Sequence, residues 1–397
     1  MVCSDSAFLL MRRYEIFAKV RLAVLVIALQ HFSMVEAHGQ DLRGLFIVPF
    51  MGRMEAPKVK AALGQRYVDG FYLELRWADL EPERGRYDWS FLDRQMAIIR
   101  RNHRKAVIGV TAGAWSPEWV YDDGAERLNT IVPGPFSWAF GRPISVPVPW
   151  DPVFLKAWIA FIRALGEHCA SEPLLQGVKF TGINFFSQET ELPTFNSGKL
   201  LSKGNVTLRV PDLVAQWRSV GYSTRKLEAA FLEIVRAFGA AFPRQTIVMM
   251  TDYRGFPPLG ANGQISPTAM HIGVTELFRI GRRELGSRFG MAYNGLKARN
   301  NDFLSIKAVA KFSDTNPTGY QTTWPVSHNT TDSDGEMKPL CVMNGGVSPC
   351  YARDVMTNIL SIAHRNNAHF LEIFPADAAN PELRDLLEAT HGEFLTR

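Results

Sequence analysis

The stretch VKFTGINFFSQETELP, residues 178–193, indicates the fold because it has the pattern of a buried strand that ends in polar residues. Its first half is apolar, β-branched and aromatic, and it stops abruptly at two carboxylates, Glu189 and Glu191. The segment before it, DPVFLKAWIAFIRALGEH (151–168), has the apolar spacing of an amphipathic helix. A helix followed by a buried strand indicates one unit of an alternating α/β fold.

The same alternation runs through the chain. Seven further strand-like runs are GLFIVPF (44–50), GFYLELRW (70–77), KAVIGVTAG (105–113), QTIVMMTD (245–252), RFGMAYNG (288–295), GYQTTW (319–324) and HFLEIFP (369–375). Helical patterns lie between them, the clearest beginning at Ser223, and others fit 267–285, 302–313, 351–366 and 380–389. Eight strands alternating with helices predict a (β/α)8 TIM barrel with long loops. A doubly wound open sheet is the alternative, but no Gly-rich phosphate fingerprint follows the first strand.

The N-terminal 37 residues have the three parts of a signal peptide. Basic residues precede the apolar stretch LAVLVIAL (22–29), and small residues around Ala37 fit a cleavage site. A membrane anchor is the alternative, but the stretch breaks at Gln30 and is shorter than the ~20 residues of a span. We expect a secreted or periplasmic protein whose residues 38–397 form one barrel domain, without an integral membrane span. The sequence makes no prediction of the oligomeric state.

Composition and charge exclude several classes of partner. The 397 residues are 46% hydrophobic and 21% charged, with a formal net charge of +5, as in an ordinary globular protein. The densest basic run, RRNHRK (100–105), closes an amphipathic pattern and indicates a solvated helix end. No nucleic-acid partner and no cofactor are predicted. Because no Cys or His cluster has metal-ligand spacing, no metal is predicted either.

Export would place the cysteines in an oxidising compartment. Cys3 leaves with the signal peptide, and Cys341 and Cys350 bracket the Gly-rich loop CVMNGGVSPC. They form the natural disulfide pair. Cys169 lies in a helical pattern and is interpreted as a small buried hydrophobe.

Three segments carry a resemblance to a known family. They are LELRWADLEPERGRYDWSFLDR (73–94), SPEWV (116–120) and GINFFSQE (182–189). These resemble the second strand and its loop, the segment after strand three, and the fourth strand of glycoside hydrolase clan A, especially its microbial β-galactosidase branch. The resemblance is strongest over residues 70–120. It implies a barrel that hydrolyses glycosidic bonds of a carbohydrate substrate.

The resemblance also implies the catalytic residues. The family's fourth strand ends in Asn-Glu, and the Glu is its general acid/base; Glu189 would take that role, with Gln188 in place of the Asn. Two departures stand out. Phe71 and Tyr72 occupy the neighbourhood of the arginine usual on strand two, and strand seven, GYQTTW, lacks the nucleophile glutamate. The next strand supplies Glu372 instead.

Hydrolysis of a glycoside explains the need for two carboxylates. An acid protonates the leaving oxygen, and a second carboxylate meets the anomeric carbon directly or through a water molecule. The apolar approach INFF (183–186) would raise the pKa of Glu189 and suit it to the acid role. Alternatively, Glu189 caps its loop or pairs with a local arginine, and Glu191 is either a binding neighbour or the true acid.

Two further carboxylates lie within strand-like runs. Glu372 is a candidate nucleophile or a structural partner of a barrel arginine. Glu74 and Arg76 alternate with apolar residues and so share a face, where an ion pair between them is the favoured interpretation.

Polar and aromatic residues at the other strand ends complete the predicted binding site. They are Asp252 and Tyr253 after strand five, Tyr293 and Asn294 on strand six, Gln321 and Trp324 on strand seven, and Trp115 in the loop after strand three. The resemblance implies that Tyr293 touches the nucleophile. Trp115, Trp119 and Trp138 would either offer flat faces to a sugar or pack the loop.

Two functions therefore remain open. The first is a secreted glycoside hydrolase with a retaining mechanism. The second is a non-catalytic carbohydrate-binding barrel that has lost its strand-seven nucleophile. A lyase or a transglycosylase that uses the same cleft is a weaker third possibility.

Overall fold

The protein is described by a computed structural model. It describes residues 42–132, 140–193, 198–203, 205–251, 267–299, 304–327, 329–331, 337–339, 342, 344–347 and 349–395. The predicted signal peptide lies outside these residues. So do Cys341, Asp252, Tyr253 and Trp138, so the predictions that concern them stay predictions.

Eight parallel strands close into a barrel, which confirms the predicted (β/α)8 fold. The strands are β1 Gly44–Ile47, β2 Gly70–Arg76, β3 Lys105–Thr111, β4 Leu175–Phe180, β5 Thr246–Thr251, β6 Phe289–Leu296, β7 Thr318–Thr322 and β8 Phe370–Ile373. Each strand pairs with the next along the chain, and β8 pairs with β1. Every one of the eight predicted strand-like runs contributes one barrel strand.

A helix follows each strand. The helices are α1 Pro57–Leu63, α2 Ser90–Arg101, α3 Pro152–His168, α4 Thr224–Ala241, α5 Pro267–Leu285, α6 Leu304–Ala310, α7 Ala352–Arg365 and α8 Arg384–Leu395. Side-chain caps fix two of their starts. Asp151 accepts hydrogen bonds from the backbone N–H groups of Val153 and Phe154 at the start of α3, and Ser223 accepts one from Lys226 at the start of α4.

Shorter elements decorate the loops. They are four-to-seven-residue helices at Trp77–Leu80, Glu118–Asp122, Leu213–Ser219 and Pro375–Ala378, and 3-10 turns at Phe50–Gly52, Gly113–Trp115, Gly286–Arg288 and Pro381–Leu383. Two-stranded hairpins pair Arg127–Ile131 with Pro143–Pro147, Leu200–Lys203 with Val206–Arg209, and Asn329–Thr331 with Met337–Pro339. Among the described residues, no helix is long and apolar enough to span a bilayer.

The inner face of the barrel carries a polar side chain within an apolar layer. Tyr72, Val107, Val248 and Phe370 belong to the small cluster that fills the interior. Lys179 is fully buried beside it, with Nζ 4.9 Å from the centroid of the Tyr72 ring. Gly109 provides the space, because a Cβ there would lie 2.7 Å from the Tyr72 hydroxyl.

The segment that carries the family resemblance has a structural role in the loop after β2. The buried carboxylate of Glu81 accepts hydrogen bonds at 2.8 Å from the indole N–H of Trp77 and from the backbone N–H of Gly85. The Trp119 indole donates to the Glu81 carbonyl oxygen and packs edge-on against Trp77. Trp119 therefore packs the loop, which was one of its two predicted roles.

Candidate active site at the barrel mouth

After β4 the chain forms a short loop, and this loop brings Glu189 back to the barrel. Residues Asn184 and Thr190 form an antiparallel bridge, and the backbone N–H of Thr190 donates to the Met250 carbonyl at the end of β5. Glu189 is thereby held at the carboxyl ends of the strands. Active sites of (β/α)8 enzymes lie at this face, because the loops that vary in sequence meet there.

Glu189 is buried, with 4% of its surface exposed, and its carboxylate accepts two described hydrogen bonds. One comes from the hydroxyl of Ser187, two residues earlier, and the other from the side-chain amide of Asn294 on β6. The structure thus brings together two residues that the sequence predicted for the site. Both donors favour the ionised form of the Glu189 carboxylate.

Gln188 links the fourth and seventh strands. Its side-chain amide donates to the Gln321 side-chain oxygen over 3.0 Å, and both side chains are buried. Gln321 was predicted to bind substrate and here fixes the residue next to Glu189. Strand β7 therefore presents an amide to the mouth.

Glu372 is enclosed within the barrel and bound to Lys179. The Lys179 Nζ lies 2.5 Å from Glu372 Oε1, and the two side chains are 0% and 1% exposed. Burial raises the pKa of Glu372, and the lysine opposes that rise. The sequence left Glu372 as either a nucleophile or the partner of a barrel arginine. The contact favours the structural alternative, with a lysine as the actual partner, and the nucleophile role stays a prediction.

Glu74 and Arg76, which the sequence predicted to form an ion pair, attract each other without a direct contact. The two residues share a face of β2, as expected, but no contact within ion-pair distance joins them in the described structure. The Arg76 guanidinium instead lies 3.6 Å from the centroid of the Trp115 ring. This cation–π contact is possible because the 3-10 turn after β3 places the indole beside β2.

Glu74 remains half-buried at the mouth, and the sequence interpretation missed it as a site residue. Burial, then the charge of Glu189, raises the pKa of Glu74 to about 7, although Arg76 and Lys179 act in the opposite direction. Strand alternation in LELRW could have identified it, since residues 74 and 76 must face the barrel axis together. A carboxylate with such a pKa exchanges a proton near neutral pH.

Glu74 opens onto a cleft of about 370 Å³. Its walls include Arg76, Trp115, Phe186 and Ser187, the residue that donates to Glu189. The Trp115 indole N–H donates to the Phe186 carbonyl oxygen over 2.7 Å, so the aromatic wall is fixed. This cleft has the mixture of aromatic and polar groups that a sugar ring requires.

Apart from Trp115, none of the predicted binding residues that the structure describes belongs to the wall of this cleft. Tyr293 packs in the cluster between strands and helices, and its predicted contact with the nucleophile stays a prediction. Glu191 is buried, and its backbone N–H donates to the Ile183 carbonyl. The backbone of Trp324 is held by the side chain of Asn344.

The described residues contain no metal-binding cluster. Among the residues that the structure covers, no group of three or more His, Cys, Asp or Glu side chains could hold a metal ion. Cys169 is buried and unpaired, as predicted. The Cys341–Cys350 disulfide stays a prediction because Cys341 lies outside the described residues.

Comparison by sequence places part of the chain beside known β-galactosidases. The β-galactosidase family model matches residues 72–182. The β-galactosidase BgaA of a Thermus species is 42% identical over 55 residues, which are 14% of this chain and 8% of that protein. The chain thus matches only a small part of the length of that curated relative.

Comparison by structure finds barrels of similar fold. A β-galactosidase from Halorubrum lacusprofundi aligns with a TM-score of 0.50 at 12% identity, over 89% of this chain and 58% of that one. The intracellular xylanase TsXylA of Thermoanaerobacterium saccharolyticum aligns with a TM-score of 0.48 at 13% identity, over 85% and 87% of the two chains. The sequence match over residues 72–182, together with the closed barrel, confirms the resemblance of this chain to glycoside hydrolase clan A.

Proposed function

We propose that this protein is a glycoside hydrolase that cleaves O-glycosidic bonds of an oligo- or polysaccharide at the barrel mouth. The observation that carries the proposal is the Glu189 carboxylate. It is buried at the carboxyl end of β4, held by Asn294, and stands beside a cleft with an aromatic wall. The resemblance implies a catalytic role for a glutamate at this position.

The match to the β-galactosidase family model supports the proposal, because it covers the segment that precedes Glu189. It begins at Tyr72 within β2, includes β3 and β4 with the loops between them, and ends at residue 182, shortly before Glu189. Those elements build the wall of the cleft that contains Arg76 and Trp115. One barrel fold serves many substrates, so the proposal names the reaction and not a particular sugar or linkage.

We propose a retaining mechanism, in which two carboxylates stand about 5 to 5.5 Å apart and one forms a covalent glycosyl ester. An inverting enzyme would need about 6.5 to 9.5 Å for an intervening water molecule. Proton NMR of the first-formed sugar distinguishes them, because a retaining enzyme releases the anomer of the substrate. We also propose that residues 1–37 direct secretion, which N-terminal sequencing of the exported protein tests directly.

The second candidate function is carbohydrate binding without hydrolysis. Two observations favour it: β7 carries Gln321 where the family has its nucleophile, and Glu372 is engaged by Lys179. A binding protein of this kind would retain the cleft and its affinity for sugars. It would release no reducing sugar from any substrate.

The deciding experiment measures hydrolysis and binding with the same panel of sugars. The full chain is incubated with aryl β-galactosides and β-xylosides and with the matching oligosaccharides, and Glu189→Gln is compared with Glu233→Gln, an exposed position on α4. We expect Glu189→Gln to lose hydrolysis of the oligosaccharides and Glu233→Gln to retain it. Sugar binding by calorimetry with no turnover by the wild type would support the binding protein and overturn the hydrolase.

A further inference from the structure

Phe50 stands exposed on the wall of the cleft at the barrel mouth. It begins the 3-10 turn after β1, and 77% of its surface is exposed, the highest fraction among the exposed large hydrophobic side chains in the described part of the chain. It lines the same cleft as Glu74 and Trp115. Single exposed apolar residues are common on protein surfaces. Its position on the wall of a ligand-sized cleft, rather than its exposure alone, therefore indicates a function.

The turn that presents Phe50 is strained. Met51 has φ 52° and ψ 35°, in the left-handed region that residues other than glycine rarely adopt. Gly52 follows with φ +66°, and a Cβ there would lie 3.0 Å from the carbonyl oxygen of Glu74. The turn is thus pressed against β2. Strain of this kind persists only where the surrounding structure enforces it, and it is concentrated at functional sites.

The chain is anchored on both sides of this turn. Before it, the backbone N–H of Val48 donates to the Ile373 carbonyl oxygen of β8 over 2.9 Å. After it, the backbone N–H of Met54 donates to the buried side-chain oxygen of Gln95 on α2 over 2.8 Å. The backbone of Phe50 is therefore fixed while its ring stays in solvent. A ligand that covers such a ring loses little free energy to ordering of the protein.

Aromatic and polar groups alternate along this part of the cleft. Phe50 comes from the loop after β1 and Trp115 from the loop after β3, and these two strands flank β2 in the barrel. Glu74 and Arg76 of β2 lie on the wall with them. The Arg76 guanidinium contacts both neighbouring loops, 3.6 Å from the Trp115 ring centroid and 3.9 Å from the Met51 sulfur. Aromatic rings suit the C–H faces of a sugar, and the carboxylate and guanidinium suit its hydroxyls.

The cleft extends beyond the residues next to Glu189. Ser187, whose hydroxyl donates to Glu189, lines the cleft from the loop after β4. Phe50 lines it from the loop after β1, and β2 and β3 lie between these strands in the barrel. Neighbouring strands are about 4.8 Å apart, so the wall covers three such spacings and exceeds the width of one sugar ring.

We propose that Phe50 binds the oligosaccharide by stacking on a sugar unit remote from the one at Glu189, and that the strained turn at Met51 holds the ring in place for it. The inference rests on the proposed function for the class of ligand. It makes Phe50 a determinant of chain length. The ring contributes to the binding of longer oligosaccharides and not to that of a glycoside with one sugar unit.

The dependence of hydrolysis on chain length tests this role. The substrates are an aryl glycoside of one sugar and oligosaccharides of the same sugar with increasing length. For Phe50→Ala we expect kcat/KM to fall by about 10-fold on the longer oligosaccharides, through KM, and to stay unchanged on the aryl glycoside. Phe50→Trp, which keeps an aromatic face, should retain the wild-type values. Tyr351→Ala is the matched control, because Tyr351 is a 62% exposed aromatic residue outside the wall of this cleft.

Affinity measured by calorimetry separates this inference from the hydrolase. Weaker binding of the longer oligosaccharides by Phe50→Ala supports the contact even where the wild type cleaves nothing and the hydrolase fails. A wild type that hydrolyses these sugars, with Phe50→Ala behaving as Tyr351→Ala does, overturns the contact while the hydrolase stands. Met51→Gly should also weaken binding of the longer oligosaccharides, because glycine frees the turn. Unchanged affinity in Met51→Gly overturns the role of the strained turn.

Discussion

Lys179 and Glu372 form an ion pair inside the barrel, with Nζ and Oε1 2.5 Å apart. The two residues belong to β4 and β8, which stand on opposite sides of the closed sheet. The pair therefore joins two distant strands across the interior, above Tyr72 and Phe370, whose rings lie close to the ammonium group. Burial of either charge alone would be strongly unfavourable.

We expect Glu372→Gln to destabilise the fold, because it leaves the Lys179 charge in an apolar environment without its partner. Removing one member of a buried pair typically costs about 3 to 5 kcal/mol, whereas replacing both with apolar residues of similar volume costs much less. Urea unfolding of Glu372→Gln and of the double variant Lys179→Met/Glu372→Leu measures this. Glu284→Gln, which breaks the exposed pair with Arg236, should change little. Unchanged stability in Glu372→Gln, with activity lost, would restore Glu372 as the nucleophile.

The raised pKa of Glu74 predicts a pH-dependent gain of stability in Glu74→Gln. The folded wild type holds its proton up to about pH 7, while the unfolded chain releases it near pH 4.5, so the folded state binds more protons between these values. The contribution of Glu74 to stability therefore falls as pH rises through this window. The neutral variant should equal the wild type near pH 4 and exceed it by up to about 3 kcal/mol at pH 8. Equal unfolding midpoints at both pH values would contradict the shift.

The strands could be predicted because each is a short apolar run between helical patterns. The residues at which the strands end could not all be predicted. The run 178–186 predicted a strand to Phe186, but β4 ends at Phe180. Gly182 explains the early end: its φ is +105°, and a Cβ there would lie 2.3 Å from the Trp158 indole nitrogen. The backbone turns away at that glycine, and a local apolar pattern does not show such a turn.

Side-chain partners were harder to predict than strands, because they depend on the three-dimensional register. Strand alternation correctly placed Glu74 and Arg76 on one face, yet the Arg76 guanidinium lies over the ring of Trp115 from the next strand's loop. The partner of Glu372 lies 193 residues away in sequence. Asn294 and Gln321 reached the mouth as predicted, since strand ends at one edge of a closed barrel must converge.

Glu81 offers a test of the loop that positions Trp77 and Trp119. Its two carboxylate oxygens accept from the Trp77 indole and the Gly85 backbone, and Gln can replace only one of these acceptors. We expect Glu81→Gln to lower the free energy of unfolding by about 1 to 3 kcal/mol. Glu83→Gln, at an exposed position in the same loop, is the control. A Glu81 variant as stable as this control would show that the loop is held by aromatic packing alone.

Cysteine reactivity tests the predicted disulfide, with the buried thiol of Cys169 as an internal reference. Burial raises the pKa of the Cys169 thiol to about 12, so it should resist alkylation in the folded protein and react fully once the chain is unfolded. Cys341 and Cys350 should stay unmodified under both conditions and react only after reduction, if they are bonded as their spacing and the export signal predict. Peptide mass mapping of the exported protein after each treatment separates the three residues. Alkylation of Cys341 and Cys350 before reduction would show two free thiols and leave the loop after β7 without its covalent closure.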